Sequence, residues 1–303
     1  MNILYMGTSD FAVKCLESLC GAGLAPRAVV TQPDKPRGRG YGVSATPVKE
    51  YARSLGIDVY EPVTLRDGAA QDILDSVAPD LICVVAYGKI LPKYVLDYPR
   101  LGCVNVHASL LPKYRGAAPI NYALINGEKT TGVTTMYMSE GLDEGDILMT
   151  DSTDIAEDDD FGTLHDRLAL MGGRLLVKTA EGLRDGSLKP TPQSGPSSYA
   201  PRIDNAVRRI DFGKSARSIV NLIRGLSPAP CAYTTAGGRN VKIFGAKVCD
   251  IKSSAPYGTV EYTDKMLVSA ADGAVQITRL QLEGRRQVSA EDFMRGNRIE
   301  KFE

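Results

Sequence analysis

A doubly wound α/β domain of parallel strands followed by a small β-barrel is the architecture that this 303-residue sequence predicts. Three observations point there. Apolar β-like runs alternate with helix-like periodic segments over roughly the first three-fifths of the chain, the signature of a sheet covered on both faces. One of those runs, DLICVVAYG at 80–88, is almost wholly apolar and bounded by turn residues, as a buried parallel strand should be. After Gly186 the pattern breaks into a proline-rich stretch and then into short strand-like runs with little helix.

In chain order, residues 2–6 form an apolar strand, Gly7 a turn, and Thr8, Ser9 and Asp10 possible N-caps for the periodic FAVKCLESL. A β-branched strand at 28–31, a Gly/Arg-rich loop at 32–42 and a helix at 46–55 with Pro47 in its first turn come next. A helix at 67–77 leads into the apolar strand, and further strands are expected at 102–106 and 132–137, then a long helix at 161–183. Residues 189–201 hold four prolines and no periodicity, so the division predicted is a domain at 1–188, a linker at 189–207 and a second domain at 208–303. In that second domain a helix at 214–225 precedes strands near 232–235, 240–248, 258–261, 266–270 and 275–282. There is no internal repeat.

Composition excludes several classes. Hydrophobic residues at 43% and charged residues at 24% match ordinary globular proteins, not disordered or fibrous chains. The longest apolar run, 81–87, falls far short of the roughly 18 residues needed to cross a bilayer. The opening MNILYMGTSDFA has no basic leader and carries Asp10, so a cytoplasmic protein without membrane contact is expected. Cysteines at 15, 20, 83, 103, 231 and 249 never form CxxC, which predicts reduced thiols and no metal site. Thirty-six basic and 36 acidic residues cancel, yet residues 208–303 carry 16 Lys/Arg against 10 Asp/Glu. That excess hints at a polyanionic partner, although soluble surfaces also carry such charge. Gly7 is not followed by GxGxxG, and Arg208 stands where a phosphate loop ending in Gly213-Lys214-Ser215 would need glycine, so nicotinamide binding and nucleotide hydrolysis are not expected.

The chain has two histidines. His165 lies within a helical run and reads as a packing residue. His107 stands in CVNVHASLLPKYRGAAP; if Val104 and Val106 face the core, Asn105 and His107 point together to the other face, near the carboxyl end of a strand. Ligands of open α/β sheets sit beyond those ends. An imidazole can take up a proton and a carboxamide can donate to a developing oxyanion. A carboxylate to orient the histidine is available in GLDEGDIL, where spacing alone does not choose among Asp143, Glu144 and Asp146.

NVHASLLPKYRGAAP together with GLDEGDIL resembles the signature of the 10-formyltetrahydrofolate-dependent formyltransferases. MGTSDFAVKCLESL, VTQPDKPRGRG, VVAYGKILP, YAPRI, ARSIVNLIRGLSPAP and AEDFMRG extend the likeness across nearly the whole chain. The resemblance implies a Rossmann-like catalytic domain joined to an OB-like barrel, and a catalytic trio of Asn105, His107 and Asp143. It implies formyl transfer from 10-formyltetrahydrofolate, without metal, to the α-amino group of initiator methionyl-tRNA in translation initiation. Folate contacts would fall on Val85, Ala86, Tyr87, Gly88, Ile90 and Leu91, largely through the main chain, and on Ser109, Leu110 and Pro112. Arg37, Arg39 and Lys49 would contact tRNA, with guanidinium groups suited to phosphate, and a monomer is expected. Two other readings remain: a formyltransferase for a small amine such as a sugar nucleotide or a purine precursor, with the same trio and donor but no need of the DKPRGRG loop and basic barrel, and a nucleic-acid-binding module on an inactive enzyme scaffold, against which the intact trio counts. The family often has an Asn-Pro-Trp-Pro-Gly-like turn where this chain reads SPAPCA at 227–232, and the chain contains no tryptophan.

Overall fold

The computed structural model describes residues 1–37, 42–249, 251 and 254–303. In chain order the elements are β1 (Ile3–Gly7), α1 (Asp10–Gly21), β2 (Ala28–Val30), β3 (Lys35–Arg37), β4 (Gly42–Ser44), α2 (Pro47–Ser54), β5 (Asp58–Tyr60), α3 (Gln71–Val77) and β6 (Leu81–Val85). Then come α4 (Lys93–Leu96), β7 (Cys103–His107), β8 (Arg115–Gly116), α5 (Pro119–Ile125), β9 (Thr130–Tyr137), β10 (Ile147–Asp154) and α6 (Phe161–Asp185). The chain ends with β11 (Tyr199–Ala200), α7 (Asn205–Arg208), α8 (Ala216–Leu226), β12 (Ala232–Ala236), β13 (Arg239–Cys249), β14 (Val260–Tyr262), β15 (Met266–Ala270), β16 (Gly273–Leu282), β17 (Val288–Ser289) and α9 (Ala290–Met294).

The chain divides into two units. The first comprises Met1–Gly116, Gly132–Thr153 and His165–Tyr199, and the second Ala117–Thr131, Asp154–Leu164 and Ala200–Glu303. Two segments within the expected domain at 1–188 thus group by their contacts with the second unit. The reason is apolar: α5 buries Ile120, Ala123 and Leu124 and packs on α8 of the same unit. The 189–207 segment is also more structured than a linker. Thr191 exchanges backbone hydrogen bonds of 2.8 Å with Ile147, and β11 pairs with β8.

The first unit is built on a seven-stranded sheet in the order β10-β9-β7-β6-β1-β2-β5. Strands β1, β2, β5, β6 and β7 are parallel, and β1 and β6 are buried along their whole length, as strands covered on both faces must be. The sheet is nevertheless mixed and not wholly parallel, because β9 runs antiparallel to β7. A parallel return requires a crossover laid over the sheet. The only helix between β7 and β9, α5, belongs to the second unit instead. Helix α2 starts as its sequence requires, with the Thr46 hydroxyl accepting from Lys49 N and Pro47 in the first turn. The expected loop at 32–42 contains β3, which pairs with β4 in an antiparallel hairpin.

The second unit carries a six-stranded antiparallel sheet, β12-β13-β16-β15-β14, with β17 also on β16. Among the described residues no ladder joins β12 to β14, so the expected closed barrel is not seen. Helix α8, capped by Ser215, lays Ile219, Val220, Ile223 and Leu226 against Val241, Ile243, Val275 and Ile277, and this apolar cluster gives the sheet its core. In the SPAPCA turn, the Ser227 hydroxyl donates to the Phe244 carbonyl and the Cys231 amide to that of Leu226, so the segment is anchored without an aromatic ring.

Candidate active site

The site lies at the carboxyl end of β7. Asn105 is flanked by Val84 of β6 and Met136 of β9, whereas His107, beyond the end of the β6 ladder, pairs with Thr134 of β9. The alternation of a strand puts Asn105 and His107 on one face. His107 is 6% exposed. Its Nε2 lies 2.8 Å from the Tyr114 carbonyl, which only accepts, so that nitrogen carries the hydrogen. Tyr114 aims this carbonyl from a backbone at φ +61°, where a residue other than glycine is uncommon. The loop between them is held from within and from β9: Ser109 Oγ donates to the Lys113 carbonyl at 2.6 Å, and Thr134 Oγ1 donates to the Ser109 carbonyl and accepts from Leu111 N. Among the described residues no hydrogen-bond partner takes up the half-buried carboxamide of Asn105, which leaves its donors for a ligand.

Of the three acids that spacing left open, Asp143 is the one turned toward His107. Its Oδ2 lies 3.6 Å from His107 Nδ1 and accepts from Gly116 N at 2.7 Å. Glu144 points elsewhere, to Arg115 Nη1 at 3.0 Å. Asp143 is held at φ +52°, and at Gly145 a Cβ would run into the Tyr137 carbonyl, so this turn is pressed close against β9. A histidine whose far nitrogen donates to a carbonyl and whose near nitrogen faces a carboxylate is held in one orientation, the geometry that acid–base work requires.

The second candidate loop follows β6. Val85, Tyr87 and Leu91 are buried, so their side chains serve the core. Burial pushes the Tyr87 hydroxyl up to about 12. Ala86 (φ +45°) and Gly88 (φ +78°) instead expose main chain, and the Tyr87 carbonyl accepts from Gln32 Nε2 at 2.7 Å and Thr8 Oγ1 at 3.1 Å. A Cβ on Gly88 would lie 2.7 Å from Gln32 Nε2. Lys89 Nζ pins the loop to the Pro62 and Val63 carbonyls, while Ile90 is 88% exposed. Ser109 is fully buried, and Leu110 and Pro112 are half-buried. These main-chain groups suit a flat heterocycle with hydrogen-bonding edges, and the exposed Ile90 suits the apolar part of such a ligand.

The residues expected to meet nucleic acid stand differently. Arg37 ends β3, and Arg39 lies outside the described residues. Lys49 is buried, and its Nζ sits 2.6 Å from Asp34 Oδ2 and 2.8 Å from Glu61. Those hydrogen bonds raise the Lys49 ammonium above its ordinary value, and the one from Lys49 holds the Asp34 carboxyl low. Lys49 is therefore committed to two carboxylates, one of them directly ahead of the β3–β4 hairpin, and is not presented to a phosphate. The pattern missed Arg115, Gly116 and Gln193, although the first two sit inside the YRGAAP motif. Among the described residues no three His, Cys, Asp or Glu side chains converge as metal ligands, and no helix is long and apolar enough to cross a membrane.

Family models agree with this geometry. The formyl transferase model matches residues 1–180 and the formyl transferase C-terminal domain model residues 202–298. The chain belongs to the formyl transferase family. Its relatives include the methionyl-tRNA formyltransferases of Pelotomaculum thermopropionicum, 46% identical over 98% of this chain and 96% of that one, and of Syntrophus aciditrophicus, 47% identical over 99% and 97%. Solved structures of like fold are WlaRD, a sugar 3N-formyl transferase with dTDP and 5-N-formyl-THF (TM-score 0.68, 20% identity, 94% of this chain and 99% of that one), and Aquifex aeolicus HypX with tetrahydrofolic acid (0.66, 16%, 100% and 50%). Asn105, His107 and Asp143 all fall within the formyl transferase domain matched at 1–180.

Proposed function

We propose that this chain transfers the formyl group of 10-formyltetrahydrofolate to the α-amino group of methionyl-tRNA, acting as a cytoplasmic monomer on the initiator tRNA. The observation that carries this reading is identity of 46–47% with methionyl-tRNA formyltransferases, sustained over at least 96% of both chains. WlaRD, a sugar 3N-formyl transferase, shares 20% identity with this chain. Asn105, His107 and Asp143 take the catalytic roles. The amine nitrogen bonds to the formyl carbon, the oxygen takes up negative charge, and the bond from that carbon to N10 of the folate breaks as N10 gains a proton. Asn105 donates to the oxyanion. His107 handles the proton lost by the amine, and Asp143 supports the imidazolium while Tyr114 and Gly116 hold both side chains in place. Removing one oxyanion donor typically costs about 10²–10³ in rate.

The exposed backbone positions Ala86 and Gly88 support folate binding there, with Ile90, Leu110 and Pro112 beside them and Val85, Tyr87, Leu91 and Ser109 acting through backbone or packing. We read the C-terminal sheet as OB-like, on its strand order and on the helix α8 that fills its core. Its 16 Lys/Arg against 10 Asp/Glu over 208–303, together with Arg37 and Arg39, would supply affinity for tRNA. The test is to mix the protein with 10-formyltetrahydrofolate and charged initiator tRNA. Formyl-methionine on the tRNA is the expected product; transfer only to an amino-sugar nucleotide would replace this reading with the small-amine one.

A further inference from the structure

The proline-rich segment after α6 has the composition of a passive connector, yet one of its side chains reaches the acid loop. Gln193 spends both amide hydrogens on that loop: its Nε2 donates to the Asp143 carbonyl at 2.8 Å and to the Gly145 carbonyl at 2.9 Å. Its Oε1 accepts from Arg115 Nη2 at 2.8 Å and Nε at 3.2 Å. Arg115 is followed by Gly116, whose amide holds Asp143 Oδ2. One carboxamide thus ties together the two segments whose spacing sets the Gly116–Asp143 bond and the approach of that carboxylate to His107.

We propose that Gln193 is a positioning residue for Asp143, fixing the loop that aims its carboxylate at His107. Asp143 adopts a positive φ, a conformation that persists where the surroundings impose it, and Gln193 caps its carbonyl in that conformation. Loop carbonyls with no donor would turn toward water, and the carboxylate on the same residue would turn with them. Glutamine suits the task because it alone among side chains of that length offers two donors to the loop and an acceptor to the guanidinium. The proposal rests on the formyl-transfer reading only for its kinetic consequence; the geometric claim concerns Asp143 and His107 themselves.

Two variants and two readouts test it. Because the chain has only His107 and His165, their ring resonances can be followed separately through a pH titration. Asp143→Asn should move the His107 midpoint, and Gln193→Ala should move it in the same direction, with His165 unchanged. In turnover with 10-formyltetrahydrofolate and charged tRNA, Gln193→Ala should lower kcat toward the roughly 10²-fold cost of a 1 Å misplacement, with the donor KM unchanged. Gln193→Glu keeps the shape and charges the arm to Arg115, but places an acceptor against two carbonyls, so it should lose as much. Wild-type activity in Gln193→Glu would overturn the proposal by showing that only the Arg115 arm matters. A His107 midpoint unmoved in Gln193→Ala, or unmoved in Asp143→Asn, would overturn it whether or not the protein turns over. If Gln193→Ala does not fold, the isosteric variant decides on both readouts. An inactive wild type with the His107 shift intact would instead overturn the formyl-transfer reading alone.

Discussion

Whereas the Gly141–Gly145 turn is held by polar bonds to its own side chains and carbonyls, from Gly116 N, Gln193 Nε2 and Arg115, the loop at 85–91 is anchored by burial of the Tyr87 and Leu91 side chains in the core. Distant groups also hold that loop, with Gln32 and Thr8 donating to the Tyr87 carbonyl and Lys89 donating to the Pro62 and Val63 carbonyls. The first arrangement holds the Asp143 carboxylate on the Gly116 amide, 3.6 Å from His107 Nδ1. The second leaves the main chain of Ala86 and Gly88 presented, which suits recognition of a ligand edge. On the proposed reading, chemistry and donor binding fall to two loops with different supports, and substitutions should separate them.

The largest effect is expected at β7. His107→Ala and Asn105→Ala should each cut transfer by at least about 10² while the variants stay folded, since each removes a group acting on the charged transition state. Steady-state assays on variants with native circular dichroism check this, and near-normal turnover would remove the site. Next comes Gly88→Ala. An L-residue held at φ +78° costs about 1–2 kcal/mol, and here its methyl also meets Gln32. The donor KM should rise with kcat retained at saturation; a fall in kcat alone would merge the two loops into one functional unit.

A smaller effect is expected of replacing Arg37 and Arg39 together with Ala. Methionyl-tRNA use should weaken with folate binding unchanged, and the slope of log affinity against log salt should fall by about 0.7–0.9 for each phosphate that the variant no longer neutralises. An unchanged slope would make the hairpin an ordinary surface insertion. The smallest concerns Lys49. Asp34 is held low by Lys49, so its contribution to stability is present above the ordinary carboxylate value and fades as pH falls through its lowered one. Lys49 is raised, so its contribution is present below the ordinary ammonium value and fades as pH rises through the raised one. Lys49→Met should flatten both limbs of melting temperature against pH. Limbs identical to wild type would show that the ion pairs contribute nothing.

Much of the fold was legible in the chain because burial leaves a period. The apolar run at 81–85, the Thr46-Pro47 helix start and the long helix from Phe161 appear where pattern and capping chemistry put them. Direction and closure leave no such trace. Nothing in the residues of β9 says that it runs antiparallel to β7, or in those of α5 that it packs on α8. Asn105, His107 and Asp143 were legible through a motif, and Asp143 was separated from Glu144 and Asp146 only by that resemblance. Gln193 was not, because its partner Arg115 lies 78 residues away and its own neighbours are prolines. The ion pairs of Lys49, expected at tRNA, were hidden for a related reason: Asp34 and Glu61 lie in separate segments.

The division of labour between the two loops is tested most directly by single-turnover formylation of methionyl-tRNA across a series of 10-formyltetrahydrofolate concentrations, with Asp143→Asn and Gly88→Ala compared against the wild type. Asp143→Asn should lower the limiting rate with the half-saturating donor concentration unchanged, and Gly88→Ala should raise that concentration with the limiting rate retained. The same change in both quantities for both variants would contradict the account.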